Sequence, residues 1–154
     1  MSSNSIIGAG ATISFSAHSA NTFQPFAQIQ TFTITPPTVS SDEITNLSSP
    51  LVGTAVVVER RPTKIDPGKF SATVVYDPSD TSLANVRTFF NAQTIADFKV
   101  QLPKGASQSS TGDLYQFTGF FETYPMPSGL TVDKHVEATV GVQLTSTWSF
   151  TAGS

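Results

Sequence analysis

The stretch TVDKHVEATVGVQLTSTWSF, residues 131–150, decides the fold class. Every second position places Val132, Lys134, Val136, Ala138, Val140, Val142, Leu144, Ser146, Trp148 and Phe150 on one side. The other side carries Asp133, His135, Glu137, Thr139, Gly141, Gln143, Thr145, Thr147 and Ser149. Successive side chains of a strand point to opposite faces, so this period of two marks a half-buried strand. The pattern lasts about twenty residues, whereas strands in globular domains usually run about 5–6. The excess predicts a strand that serves something beyond its own core.

The 154 residues are expected to form one domain, 1–154, large enough for a substantial core. Charged residues make up 12%, against about 25% in ordinary soluble domains. Dense charge is what keeps monomers apart. Two readings therefore stand side by side: a low-charge secreted β-protein, or a surface largely covered by copies of itself. The chain has no cysteine, which excludes a disulfide scaffold and thiolate metal ligation. Its start, MSSNSIIGAGATISF, has no basic segment and an apolar stretch broken by Gly and Ser. Neither a secretory signal nor a membrane span is expected, and synthesis in the cytoplasm follows. A formal net charge of −3 argues against nucleic-acid affinity, which rests on surplus Lys and Arg. No Lys or Arg precedes Arg60; then Arg60, Arg61, Lys64 and Lys69 follow closely. Four charges on a hairpin read as a solvated or subunit-pairing face.

Outward from the last stretch, nearly every segment reads as a strand. GATISFSA alternates Ala11, Ile13 and Phe15 with Thr12, Ser14 and Ser16. In FAQIQTFTIT, Phe26, Phe32 and Ile34 lie opposite Ile29, Thr31 and Thr33. GTAVVVER is β-branched and dense enough to be covered on both faces. KFSATVVYD, DFKVQLP and LYQFTGFFETY continue the series. Residues 35–50 read as a long polar loop with three prolines, and Asp66-Pro67-Gly68 as a turn closing a hairpin. DPSDTSLANVRTFFNAQ alone breaks the β pattern. Ser79 or Asp80 can cap a short helix whose core stripe is Leu83, Val86, Phe89 and Phe90. The expected architecture is mainly β, a sandwich or flattened barrel with one short helix between the fourth and fifth strands.

No enzyme motif is found: no nucleophile elbow, phosphate-binding loop or zinc-binding helix. The two histidines, His18 and His135, exclude a His-rich metal site, and no cofactor is expected. His135, between Asp133 and Glu137 on a polar face, reads as solvated or interfacial. Asp42 and Glu43 adjoin, but adjacency does not set the separation that acid–base chemistry needs.

Three stretches carry a resemblance: SSDEITNL, GKFSATVVYDPSD and GFFETYPMPSGLTVDKHVEATVGVQLTS. Together, in this order over residues 6–148, the chain resembles the tail tube (major tail) proteins of long-tailed, lambda-like bacteriophages. The segment VVVERRPTKID is more basic than that pattern, and the loop near Asn46 shorter. The additional C-terminal immunoglobulin-like domain of some relatives is not expected after TAGS.

The resemblance implies a structural virion protein, not an enzyme. Its copies would form hexameric rings stacked into a hollow tube, with strands of neighbours joined into one continuous barrel around a DNA channel. Implied partners are other copies, the tail tip and terminator proteins, and DNA in non-specific passage. The implied location is the virion tail. An over-long strand can then pair beyond its own domain, and Gly141 would mark the bend of a barrel strand. Asp42, Glu43 and Ile44 are the candidates for ring stacking, on a loop that orders when rings meet. Glu122, Asp133, Glu137, Thr139, Gln143 and Thr145 are the candidates for a channel wall that offers phosphates no counterion release. The alternative is a monomeric β-sandwich binding module for a carbohydrate or cell surface, which calls for an exposed aromatic cluster.

Overall fold

The structure, a computed structural model, describes residues 10–26, 29–146 and 148–154. In chain order its elements begin with β1 (Thr12–Ala17), β2 (Gln24–Pro25), β3 (Ile29–Thr35), β4 (Thr38–Glu43), β5 (Leu51–Val52), β6 (Ala55–Val56) and β7 (Arg60–Asp66). They continue with β8 (Lys69–Val75), α1 (Thr81–Ala92), β9 (Ile95–Gln101), β10 (Leu114–Phe121), β11 (Pro127–Ser128), β12 (Glu137–Leu144) and β13 (Ser149–Thr151).

Among the described residues nine strands make one antiparallel sheet in the order β2-β1-β9-β10-β12-β8-β3, with β11 added to β12 and β13 to β10. Alternation in each strand sends one set of side chains to a shared core: Ile13 and Phe15, Phe70 and Val74, Phe98 and Val100, Phe117 and Phe121, Val140 and Val142. Each such buried side chain contributes about 1.5–3 kcal/mol. Among the described residues the sheet does not close into a barrel. Its ends nevertheless curl together, since Ile13 of β1 and Ile34 of β3 line one groove. Among the described residues the architecture is thus mainly β with one short helix, as the sequence pattern predicts, but the helix lies between β8 and β9 and not between the fourth and fifth strands.

Helix α1 closes one end of the core. The Asp80 carboxylate accepts from the Ser82 N–H at 2.9 Å, capping the first turn. The helix stops at Gln93, which turns left-handed and donates its N–H to the Phe89 and Phe90 carbonyls. Leu83 and Val86 are fully buried. Phe89 meets Phe15 and Phe121 edge-on at 5.5 and 6.1 Å, and Phe90 meets Tyr124.

The last strand differs from the reading of its sequence. Residues 131–136 are not strand: β12 starts at Glu137, and Val132 is fully exposed. The partner strand β8 ends at Val75, and beyond the Tyr76 N–H, which donates to Val136, the chain turns into α1. With no partner left, alternation alone cannot hold a strand. Towards the C-terminus, pairing with β10 runs from Gly119↔Leu144 to Gln116↔Ser149. Three steps on β10 thus face five on the last strand, a bulge that divides β12 from β13. Thr147 lies outside the described residues.

Two further corrections concern the segment 29–75. Asp66-Pro67-Gly68 does not close a hairpin between its flanking strands: β8 pairs β3, while β7 pairs β4. The four strands form one long ribbon, bent at Pro36-Pro37 on one limb and at Pro67-Gly68 on the other. Proline lacks the N–H a straight ladder needs, so both limbs break pairing at the same level. A bulge between Ile29 and Thr31 also moves Ile29 to the side of Phe32 and Ile34, where it packs on the core.

Candidate assembly interface

The outer half of that ribbon, residues 38–66, stands away from the core as an arm. All six residues of β4 and all seven of β7 are exposed, so neither face of the ribbon has cover. Residues 35–50 are therefore not a plain loop, because Thr38–Glu43 is a strand paired with Arg60–Asp66. GTAVVVER is not covered on both faces either. Val56 and Val58 are 52% and 53% exposed, and Leu51 and Val52 on the facing strand 62% and 72%. An isolated two-stranded ribbon is at best marginally stable in water, and large contiguous exposed apolar patches mark interaction surfaces.

Charge divides the arm into stem and tip. Asp42 faces Arg61 and Glu43 faces Arg60 in register on the stem. Among the described residues the ion pairs within 4 Å are His18–Asp97 and His135–Glu137, so the stem charges are not spent on one another. From Ile44 to Val58 no residue is charged. The tip is held by its own hydrogen bonds: Ile44 N–H to the Glu59 carbonyl at 2.9 Å, Glu59 N–H to Thr45 Oγ1 at 2.9 Å, and Val57 N–H to the Pro50 carbonyl at 2.8 Å. Asp42, Glu43 and Ile44 thus sit where stem meets tip.

Among the six wall candidates Glu122 lies against the face of β12 that carries Glu137, Thr139 and Gln143, and Asp133 lies apart from it. Glu137, Thr139 and Gln143 share the polar face of β12, where Thr139 stands in a row with Thr73 and Thr31. Gln143 is committed: its Nε2 donates to the Gly68 carbonyl at 3.0 Å. Glu137 pairs with His135 Nε2 at 3.4 Å. Thr145 lies in the bulge and donates to the Thr118 carbonyl. Glu122 follows β10, its N–H donating to the Gly141 carbonyl at 2.9 Å, and Asp133 lies in the exposed turn off the sheet. Gly141 is buried under Thr123, whose Oγ1 would stand 2.6 Å from any β-carbon there. The same polar face continues onto β9. There Asp97 accepts from His18 Nδ1, the Ser19 N–H and Thr118 Oγ1 at 2.9, 3.0 and 3.0 Å. Burial pushes the Asp97 carboxyl up, but these hydrogen bonds and the His18 charge outweigh it and hold it below the usual carboxylate range.

Opposite the helix, the core opens into an apolar groove of about 710 Å³ between β3 and the ends of β1, β9 and β10. Ile29, Phe32 and Ile34 form one wall, and Val100, Leu102, Tyr115 and Trp148 the other. Trp148 lies 4.0 Å from Phe117, centroid to centroid. Its indole N–H is buried without an acceptor, a loss of about 1–3 kcal/mol. Sequence reading did not find this groove, since it arises where both ends of the sheet meet. Among the described residues no cluster of His, Asp and Glu could hold a metal ion, and no helix is long and apolar enough to cross a membrane.

No protein-family model matches the chain, and no curated protein matches it. Solved structures do. A subunit from the baseplate of the anti-feeding prophage superposes with a TM-score of 0.71 over 99% of this chain and 98% of that one, at 9% identity. One from the tail of an empty gene transfer agent particle gives 0.66 over 96% and 100%, at 19% identity. The SPP1 tail tube subunit gives 0.65 over 97% and 80%, at 14% identity. These matches bear on the tail tube fold and not on its lambda-like branch. The chain has the fold of the tail tube subunits of phages and phage-like particles.

Proposed function

We propose that the protein is the tail tube subunit of a virion, and that its copies close into hexameric rings stacked as a hollow tube. The observation that carries this reading is the arm. A ribbon exposed on both faces, apolar at its tip, gains nothing for a lone subunit and buries its surface only against other copies. The outer edge of β3, which pairs no other described strand, supports the same reading, because it offers a neighbour a ladder of N–H and C=O groups.

In this assembly Asp42, Glu43 and Ile44 belong to the stacking contact. The sheet's polar face, with the row Thr31, Thr73 and Thr139, faces the channel. Hydroxyls with few cations release no counterions from passing DNA, so DNA slides rather than binds. The tail tip and a terminator cap the two ends of the tube, and the protein resides in the virion tail after synthesis in the host cytoplasm.

Electron microscopy of the purified protein across a concentration series tests the proposal. Hollow tubes or six-fold rings are expected. A monodisperse monomer at every concentration, also after addition of preformed tail tips, overturns it and turns attention to a binding module. That alternative calls for an exposed aromatic platform, whereas Trp148 is the chain's one tryptophan and packs on Phe117.

A further inference from the structure

We infer that the apolar groove around Trp148 is the receptor for the arm tip of a second copy; this rests on the tube reading above. The chain carries a projecting apolar element and a concave apolar one, and no described residue of the subunit fills either. The groove is bordered by Pro36 and Pro37 at the root of the arm, but no residue of the arm beyond Pro37 lines it. The arm leads away from its own groove, so one copy cannot satisfy the other element in itself. A head-to-tail contact between copies satisfies both, and repeats.

Charge selects the tip as occupant. Among the described residues no charged side chain lines the groove, and none occurs from Ile44 to Val58. The stem, with Asp42, Glu43, Arg60 and Arg61, remains outside at the rim, where ions keep their water. A polar small molecule fits poorly, because such sites converge several polar groups on the ligand. Here the wall presents chiefly alkyl and aromatic carbon, and the unmet indole N–H of Trp148 marks it as unfinished.

The test uses two features of the sequence: one tryptophan, which lies on the groove wall, and no native cysteine. Assembly should shift Trp148 emission to shorter wavelength and reduce its quenching by acrylamide severalfold. Separately prepared Val52→Cys and Ala11→Cys proteins, mixed, assembled and oxidised, should yield the mixed disulfide dimer. Val52 is an exposed tip residue and Ala11 an exposed residue at the groove, so both variants should fold. Tubes that form with Trp148 emission and quenching unchanged overturn the groove assignment while leaving the tube reading intact. So do tubes in which only the Val52→Cys protein cross-links, to itself. Trp148 protection at every concentration, before assembly, overturns it in favour of an occupant from the same chain. Failure of any assembly overturns the tube reading itself, and the inference with it.

Discussion

Gly68 lies so close against Thr35 that a β-carbon on it would overlap the Thr35 carbonyl oxygen. The two residues face each other where both limbs of the 29–75 ribbon bend, one at Pro36-Pro37 and the other at Pro67-Gly68. Gly68 also ties the bend to the sheet: its N–H donates to Asp66 at 2.9 Å, and its carbonyl accepts from Gln143 Nε2 and the Leu144 N–H. The direction of the arm is therefore set at this contact.

Gly68→Ala should destabilise the subunit by about 2–4 kcal/mol, since a φ of +84° and a backbone clash act together. Urea denaturation measures it. A loss below about 0.5 kcal/mol would mean that the bend yields freely and does not aim the arm.

The helix stripe allows a sharper contrast. Leu83 is fully buried between α1 and the sheet, so Leu83→Ala should cost about 2–5 kcal/mol, and Phe89→Asp should leave too little stability to fold. Val52→Asp on the exposed tip should stay within about 0.5 kcal/mol of the parent. Equal losses at Leu83 and Val52 in thermal or urea melts would show that the arm packs on its own subunit.

How far the sequence reaches depends on where each signal is resolved. The core strands and α1 are legible because one face meets a single apolar core, and period two or 3.6 then reports burial directly. Residue type narrows the cap to Ser79 or Asp80, and the bond from the Ser82 N–H selects Asp80. GTAVVVER misleads for the same reason: its β-branched density announces cover, but that cover is not in the subunit. The start of β12 at Glu137 depends on where β8 ends, and no local pattern in residues 131–136 carries that. The commitment of Gln143 to the Gly68 carbonyl joins residues far apart in the chain, and no local pattern announces it.

Asp97 gives a pH prediction. Its folded-state pKa lies below its unfolded value, so its stabilising contribution is fully present above about pH 4. That contribution is lost as the pH falls through the lowered folded value. Asp97→Asn should therefore lower the urea midpoint at pH 6 and have a smaller effect near pH 3. A midpoint difference that is the same at both values would show that the hydrogen bonds, and not the carboxylate charge, hold His18 and Thr118.

The stem charges separate folding from assembly. Asp42 and Glu43 face Arg61 and Arg60 across an exposed ribbon, where a cross-strand pair contributes about 0.2–1 kcal/mol. Asp42→Ala with Glu43→Ala should thus change subunit stability by at most about 1 kcal/mol. If the same carboxylates meet cations of the next ring, their loss acts at every repeat, and tube formation should fail or need severalfold more protein. Raising the ionic strength should weaken the parent tubes in the same direction, because exposed pairs are screened over about 8 Å at physiological salt. Light scattering against concentration, at low and high salt, reads both effects. Normal assembly by the double variant would remove Asp42 and Glu43 from the stacking contact and leave the apolar tip as the part of the arm that joins the copies.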